Sequence, residues 1–254
     1  MVVGEPTAHV PTSDRIVFAH RGLNHRAPEN TMPAFGLARD SGASWLEMDV
    51  DILGDGTPIV LHDTTLDRTT NRSGRLADYS AADLANIDAG SWFSQDFAGT
   101  AMPTFSQFID FLNESKMNCN VELKSNQMGK AGTERLVDAV IAELDRLAPS
   151  VEIIISSFSA LTLERFHERA PQYAIGMLWE QRTVAEDWLT TLETLGASYA
   201  HLEDGQMIKP QIDMLSAAGY GVNVWTVNSR ARANQLFNWG CTGVFTDVAD
   251  KLGH

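Results

Sequence analysis

The sequence has few cysteines, few basic residues and no long apolar run. Its two cysteines, Cys119 and Cys241, are far apart and show no paired spacing, so neither a disulfide framework nor a thiolate zinc site is expected. No stretch reaches the ~18 apolar residues of a membrane span, and residues 1–14 lack the basic start and apolar run of a secretion signal. We therefore predict a cytoplasmic protein with no stable membrane association.

The shortage of positive charge narrows the choice of partners. Lysine and arginine together number 19 against 33 aspartates and glutamates, which gives a formal net charge of −14. Such a chain is repelled by nucleic acid and by anionic membranes, so neither is expected as a partner. A phosphate-bearing small molecule would need a local cluster of positive side chains or a bound cation. The sequence leaves the oligomeric state open.

Short apolar runs alternate with segments of helical period along the 254 residues. Eight such runs, each followed by a polar or helical stretch, predict a parallel α/β fold, and a chain of this length favours a closed (β/α)8 TIM barrel. Two of the helices have clear apolar stripes, over residues 136–147 and 184–195. The predicted strands are Ile16–Ala19, Trp45–Ile52, Asn120–Leu123, Val151–Ser156, Tyr173–Leu178, Tyr199–Leu202, Gly221–Thr226 and Gly243–Thr246.

Two departures from a regular barrel are expected within a single domain that spans residues 1–254. Residues 63–103 are rich in Asp, Ser, Thr, Asn and Gly and are too long for an ordinary βα loop, so they form a small inserted subdomain. Trp92 and Phe93 are expected in the core of this insertion. Only eight residues follow the last predicted strand, so the eighth helix must be short or missing.

Two histidines stand at the ends of short apolar runs. His20 follows the first predicted strand and precedes Arg21, and His62 follows the run Ile59–Leu61. Barrel enzymes place their catalytic groups at the C-terminal ends of the strands. Histidine exchanges protons near neutral pH, and arginine binds phosphate through two parallel hydrogen bonds. We therefore expect these three residues at one site.

Two of the other histidines have a predicted position in the fold. His25 lies in the first predicted loop and is expected to be exposed. His201 ends the sixth predicted strand, where it fits a position facing the site as well as a packed structural position.

Charged residues alternate with apolar ones inside two predicted strands. Glu47 and Asp49 share one face of the second strand, and Glu122 and Lys124 share one face of the third. Carboxylates directed together into a barrel repel one another, and a hard cation with oxygen ligands, Mg²⁺ or Ca²⁺, removes that repulsion. Zinc is disfavoured because no histidine or cysteine spacing accompanies them. An internal Lys–Glu ion-pair network is the alternative that remains open.

The order and spacing of these motifs resemble the glycerophosphodiester phosphodiesterase family from about Arg15 to Lys251, and most closely its short cytosolic bacterial enzymes. One departure is Ala249, where many relatives have proline. The motifs are His-Arg-Gly at 20–22, Pro-Glu-Asn-Thr at 28–31, Glu-x-Asp at 47–49, Asp-Gly at 55–56, His-Asp at 62–63, Leu-x-Arg-Thr-Thr at 66–70, Glu-x-Lys at 122–124, Ser-Ser-Phe at 156–158, Trp-Thr-Val-Asn at 225–228 and Thr-Asp at 246–247.

The resemblance implies a role for each matching position. By this resemblance, the catalytic histidines are His20 and His62, and the metal ligands are Glu47, Asp49 and Glu122. The resemblance also implies that Arg21 and Lys124 contact the phosphate and that Phe158 and Trp225 line the pocket.

It also implies the reaction: metal-dependent hydrolysis of a glycerophosphodiester, such as glycerophosphocholine or glycerophosphoethanolamine, to glycerol 3-phosphate and an alcohol, with the histidines as general acid and base. The nearest alternative is a lysophospholipase D or phospholipase C-like barrel that acts on lipid, which would need an apolar rim. A barrel that only binds phosphodiesters is the other alternative, but it would be expected to lack a histidine or a metal ligand, and none is missing.

Overall fold

The structure, a computed structural model, describes residues 15–124, 128–180, 187–205 and 208–252. Nine strands and eight α-helices lie in these ranges. The strands are β1 Ile16–His20, β2 Trp45–Ile52, β3 Pro58–Val60, β4 Asn118–Leu123, β5 Ile153–Ser157, β6 Ala174–Trp179, β7 Tyr199–Glu203, β8 Gly221–Trp225 and β9 Gly243–Thr246. The helices are α1 Met32–Asp40, α2 Phe105–Ser115, α3 Gly129–Leu144, α4 Ala160–Arg169, α5 Trp188–Leu195, α6 Lys209–Ala217, α7 Arg230–Trp239 and α8 Ala249–Leu252.

Eight parallel strands close into a barrel, which confirms the predicted TIM-barrel fold. The ring runs β1, β2, β4, β5, β6, β7, β8 and β9, and it closes because β1 pairs with both β2 and β9. Strand β3 was not among the predicted strands; it pairs antiparallel with β2 as a hairpin, outside the ring. Both helices with predicted apolar stripes are present, although Val184 of the second stripe lies outside the described residues.

A local sequence signal fixes the start of α2, which packs on the outside of the barrel. Thr104 Oγ1 accepts a hydrogen bond from the Gln107 backbone N–H at 3.2 Å, and Gln107 Oε1 accepts one from the Thr104 N–H at 3.0 Å. This reciprocal capping satisfies two backbone donors that would otherwise be unpaired at the helix start. The apolar residues of the next two turns, including Phe105, Phe108 and Leu112, are buried against the barrel.

The interior of the barrel is filled by rings, and glycines on neighbouring strands leave room for them. The rings of Phe18 and Phe245 stack with their centroids 4.4 Å apart. A Cβ atom at Gly221 would lie 2.4 Å from Tyr199 Cδ1, and one at Gly243 would lie 2.7 Å from Phe18 Cε2. Because side chains this close would clash, glycine at these positions permits large rings in a narrow barrel.

The segment between β3 and α2 contains three short 3₁₀ helices, Leu76–Asp78, Ala81–Asn86 and Gln95–Phe97. Its apolar core is aliphatic and is completed by residues of the β2–β3 hairpin, such as Ile59. The expectation that Trp92 and Phe93 form this core is wrong. Trp92 is 38% exposed, and its ring meets Phe93 edge-on at the surface, because the hairpin residues already fill the space beneath.

Helix α8 has four residues, in agreement with the expected short eighth helix. A cavity of about 280 Å³ lies beside it, bordered by the end of α1 and by α7. Within the described ranges, no helix combines the length and apolar character needed to cross a membrane.

Candidate active site

Three buried carboxylates converge from two adjacent barrel strands, two from the middle of β2 and one from near the C-terminal end of β4. Glu47 and Asp49 project from the same face of β2, and Asp49 is in register with Glu122 of β4. One oxygen atom from each of the three residues lies within 4.8 Å of the others. The parallel pairing thus brings together the three residues predicted as metal ligands.

Two cations partly balance these acids. Lys124 Nζ lies 2.5 Å from Glu122 Oε1 and 3.3 Å from Asp49 Oδ1, and Arg21 Nε lies 3.3 Å from Asp49 Oδ2. Burial alone would raise the pKa of Asp49, but the charges of Lys124 and Arg21 outweigh it and hold the pKa well below its usual range. The Lys–Glu network that the sequence left open is therefore present around Asp49 and Glu122.

Glu47 does not take part in that network. Its Oε2 accepts a hydrogen bond from the Arg21 backbone N–H at 2.9 Å and lies 3.9 Å from His20 Nε2. Burial and the charge of Asp49 raise the pKa of Glu47 to about 8.

A divalent cation fits this donor set. Asp49 Oδ1 is buried and accepts no hydrogen bond within the described residues, although Lys124 Nζ lies 3.3 Å from it. A buried oxygen in this state favours a bound cation. The carboxylate of Glu47 faces Asp49, and among the described residues no lysine or arginine side chain forms an ion pair with it. Three clustered carboxylates supply the hard oxygen ligands that Mg²⁺ and Ca²⁺ prefer. The residues that would hold the ion are Glu47, Asp49 and Glu122.

Each of the two predicted histidines is held by an aspartate. His20 Nδ1 lies 2.7 Å from Asp247 Oδ1, and His62 Nδ1 lies 2.7 Å from Asp63 Oδ1. Because an ionised carboxylate only accepts hydrogen bonds, Nδ1 carries the hydrogen in both rings and Nε2 is left to exchange a proton. Burial lowers the pKa of His20, but Glu47 and the hydrogen bond to Asp247 outweigh burial and raise it above its usual value.

A tight turn after β1 places Arg21 beside the carboxylates. Arg21 has a φ of 55°, in the left-handed region, and Gly22 follows with a φ of 82°. A Cβ atom at Gly22 would lie 2.7 Å from the backbone carbon of Ala34, so only glycine fits there. The turn lets the Arg21 backbone bind Glu47 while its guanidinium reaches Glu29, with Nη1 2.9 Å from Oε1.

A cavity of about 210 Å³ opens over these groups. Its apolar side includes Phe158 and Trp225, whose ring planes are perpendicular with centroids 5.6 Å apart. Its polar side includes Arg21 and both histidines. The full lining is His20, Arg21, Glu47, His62, Asn120, Glu122, Phe158, Leu178, Glu180, Trp225, Thr226 and Phe245. Seven of the nine predicted site residues line this cavity. The other two, Asp49 and Lys124, lie next to Glu122 and are not part of the lining.

Comparison with known proteins identifies the chain. The glycerophosphoryl diester phosphodiesterase family matches residues 20–251. The chain belongs to this family. A glycerophosphodiester phosphodiesterase from Caldanaerobacter subterraneus subsp. tengcongensis is 31% identical over 93% of this chain and 96% of its own. Another from Bacillus subtilis is 31% identical over 93% of this chain and 85% of its own.

A solved structure gives the same result. A phosphodiesterase from Oleispira antarctica, determined in complex with the product sn-glycerol-3-phosphate, is 32% identical to this chain, with a TM-score of 0.88 over 93% of this chain and 94% of that protein. The resemblance drawn from the motifs and the prediction of a phosphoric diester hydrolase are therefore confirmed.

His25 and His201, which lie outside the motifs, have structural contacts. His201 is fully buried inside the barrel, where its ring lies 5.1 Å from that of Phe245 and burial lowers its pKa to about 3. It packs rather than faces the site. The expectation that His25 is exposed is wrong: its Nδ1 lies 2.8 Å from the backbone oxygen of Asp247 and its Nε2 lies 3.3 Å from Asp250.

Some residues of this glycerophosphoryl diester phosphodiesterase site were not singled out from the sequence. Asn30 donates to Asp49 Oδ2 at 2.8 Å, and Asp247 binds His20 from a position 227 residues away in the chain. Asp63 follows His62 directly, so the adjacent acid was a signal for its role. Asp247 follows the last strand, which ends beside the first in a closed barrel, and this placement was the signal available for it.

Proposed function

We propose that this chain hydrolyses glycerophosphodiesters, such as glycerophosphocholine or glycerophosphoethanolamine, to glycerol 3-phosphate and an alcohol, with Mg²⁺ or Ca²⁺ held by Glu47, Asp49 and Glu122. The observation that carries the proposal is the buried carboxylate cluster flanked by two histidines whose Nδ1 atoms are fixed by aspartates. Family membership supports the reaction class.

The proton transfers fall to the two histidines. In this proposal one Nε2 atom accepts the proton of the nucleophile and the other donates a proton to the departing alcohol. The nucleophile is water or the neighbouring hydroxyl of the glycerol group, which would give a cyclic phosphate first. Asp63 and Asp247 keep each imidazole in the tautomer that leaves Nε2 available, and they stabilise the imidazolium form.

Arg21 and Lys124 are the proposed phosphate contacts. Both are held in place by carboxylates in the structure, Arg21 by Glu29 and Asp49, and Lys124 by Glu122. Fixed positive charges beside the reacting phosphorus stabilise the negative charge that grows on its oxygens. A bound Mg²⁺ or Ca²⁺ would polarise a phosphoryl oxygen and lower the pKa of a coordinated hydroxyl.

The aromatic side of the cavity is proposed to contact the organic part of the substrate. Phe158 is 40% exposed at the mouth and Trp225 lies deeper against it. We further propose that residues 1–254 act as one domain in the cytoplasm, with residues 63–103 as an inserted subdomain.

Release of glycerol 3-phosphate from glycerophosphocholine tests the proposal directly. The protein is treated with EDTA, dialysed, and assayed before and after Mg²⁺ or Ca²⁺ is restored. The released glycerol 3-phosphate is measured in a coupled assay with glycerol-3-phosphate dehydrogenase. Activity that disappears with EDTA and returns with either ion supports both the reaction and the metal site. Activity that is unaffected by EDTA would contradict the metal requirement.

One observation favours a second candidate, a lysophospholipase D or phospholipase C-like reaction on lipid. Phe158 and Leu161 are exposed, by 40% and 72%, on the loop and first turn after β5, at the end of the barrel that carries the site. Such residues could contact an acyl chain. Lysophosphatidylcholine hydrolysed faster than glycerophosphocholine would favour this candidate and would overturn the proposed substrate.

A further inference from the structure

Arg68 makes an unusually complete set of contacts for a half-exposed arginine. It lies in the segment between β3 and α2, outside the barrel. Its Nε and Nη2 atoms lie 2.7 and 2.9 Å from the two carboxylate oxygens of Asp63. Its Nη1 and Nη2 atoms lie 2.9 and 2.7 Å from the two oxygens of Glu29. One guanidinium thus binds two carboxylates, each through two hydrogen bonds.

Both carboxylates also hold a residue of the active site. Asp63 Oδ1 binds His62 Nδ1 at 2.7 Å, and Glu29 Oε1 binds Arg21 Nη1 at 2.9 Å. Arg21 in turn lies 3.3 Å from Asp49. A continuous chain of hydrogen bonds and ion pairs therefore runs from one proposed catalytic histidine, His62, through Arg68, to the proposed phosphate contact Arg21.

The geometry of this chain requires the planar fork of arginine. Exposed ion pairs contribute little to stability as isolated contacts, but bidentate pairs within a network are an exception. The side chains of Glu29 and Asp63 are only 13% and 24% exposed, and Arg68 covers them from the solvent side. Without a cation between them, two carboxylates directed at one point would repel and turn away, and each would carry its partner with it. The single ammonium group of a lysine cannot make the four hydrogen bonds.

We propose that Arg68 is a positioning residue of the active site, which fixes the orientation of His62 through Asp63 and that of Arg21 through Glu29. This inference rests on the proposed function. It gives a part in the reaction to the region of this segment that follows His62 and Asp63, for which no contact with the substrate is proposed.

Kinetics of Arg68→Ala and Arg68→Lys test this role, with Arg75→Ala as the matched control. Arg75 is an exposed arginine of the same segment. A misplaced catalytic group can reduce the rate by about 10²-fold, so Arg68→Ala is expected to lower kcat by up to that factor and to change KM less. Arg68→Lys should recover only part of the loss. Guanidinium ion at millimolar concentration should restore activity to Arg68→Ala, whereas potassium ion at equal ionic strength should not.

A second measurement does not depend on activity. The proton on His62 Nδ1, hydrogen-bonded to Asp63, should give a downfield proton resonance in the wild-type protein, assigned by its loss in His62→Gln. We expect this resonance to shift or broaden in Arg68→Ala, to remain in Arg75→Ala, and to recover with guanidinium.

Four outcomes separate the two proposals. Loss of kcat that guanidinium restores supports the positioning role. A kcat of Arg68→Ala equal to that of the wild type overturns the positioning role. A loss of kcat that guanidinium does not restore, in a variant that melts at a lower temperature, also overturns it, because that result shows a structural role. If the wild-type protein hydrolyses no glycerophosphodiester, the proposed function fails, and the His62 resonance alone then decides whether Arg68 orients that ring.

Discussion

The ring of His201 fills the space that a side chain on Gly176 would need. A Cβ atom at Gly176 would lie 2.5 Å from both Cε1 and Nε2 of His201. The histidine cannot move aside easily, because it packs against Phe245 and its Nε2 lies 3.1 Å from Asn223 Nδ2. The two positions are therefore coupled through the barrel interior.

Gly176→Ala should destabilise the barrel, by roughly 1–3 kcal/mol for an overpacked core. The same substitution should destabilise less in a His201→Ala background, where the methyl group enters the vacated space. Urea unfolding of the two single variants and the double variant measures the coupling. Gly36→Ala is the control: it lies in α1 with open space around its Cβ position, so it should be neutral or stabilising. Additive effects of Gly176→Ala and His201→Ala would contradict this coupling.

His201 should also make stability depend on pH. Burial lowers the folded-state pKa of His201 to about 3, whereas an unfolded histidine titrates near 6.5. As the pH falls, the unfolded chain therefore takes up this proton at a higher pH than the folded chain does. The contribution of His201 to the free energy of unfolding is complete above about pH 6.5 and decreases as the pH drops toward 3. The free energy of unfolding of His201→Gln should fall less steeply than that of the wild type between pH 6 and 4, by at most about 1.4 kcal/mol per pH unit. Parallel curves would show that His201 is not buried in its neutral form.

His20→Ala and His62→Ala should each lower kcat by roughly 10²–10⁴-fold, because each removes a proposed general acid or base. His167→Ala serves as the control, because His167 lies on α4 and contacts Gly196 at the end of α5, away from the cavity. Steady-state kinetics with glycerophosphocholine measures the effect. An unchanged kcat in either His20→Ala or His62→Ala would remove that histidine from the mechanism.

Glu47→Gln and Glu122→Gln should raise the concentration of Mg²⁺ or Ca²⁺ needed for half-maximal activity. Mutation of a residue that only hydrogen-bonds to a metal ligand already weakens metal affinity by about 10–100-fold. Loss of a direct carboxylate ligand should therefore raise the metal concentration for half-maximal activity at least about tenfold. Metal titration of the EDTA-treated protein gives the value, with the exposed Glu152→Gln as control. A metal response equal to that of the wild type would show that the carboxylate is not a ligand.

The lining of the cavity predicts a preference for a cationic alcohol. Glu180 shares the cavity with the perpendicular rings of Phe158 and Trp225, and aromatic faces with an acid bind quaternary ammonium groups. Glu180→Gln should lower the ratio of kcat/KM for glycerophosphocholine to that for glycerophosphoglycerol by about threefold to tenfold, and Glu180→Asp should keep most of it. A ratio that does not change would exclude a role of Glu180 in head-group selection.

The sequence predicted which face of a strand each side chain occupies better than it predicted which strands pair with one another. The alternation of Glu47 and Asp49 placed both side chains on one face of β2, because side chains in a strand alternate between two faces whatever the fold. That Asp49 is in register with Glu122 depends on the pairing of β2 with β4, which the sequence of neither strand specifies. The hairpin strand β3 was missed because three residues are too short for a clear period.

Long-range contacts were the least predictable part of the site. His25 was expected at the surface because it is polar and lies in a loop, but the residues that bind it, Asp247 and Asp250, come from the other end of the chain. Likewise, nothing local to Arg68 indicates that it meets Glu29, which lies 39 residues earlier. Such contacts depend on the closed barrel and not on local patterns.

The pairing of His20 with Asp247 crosses the seam where the first and last strands of the barrel meet. This junction joins the two ends of the chain, and the proposed catalytic residue His20 lies on it. Separation of β1 from β9 would release His20 from its aspartate while the other strands stayed paired. Opening of this seam should therefore abolish activity even where helical content is retained, so that activity reports the state of the seam independently of the helices.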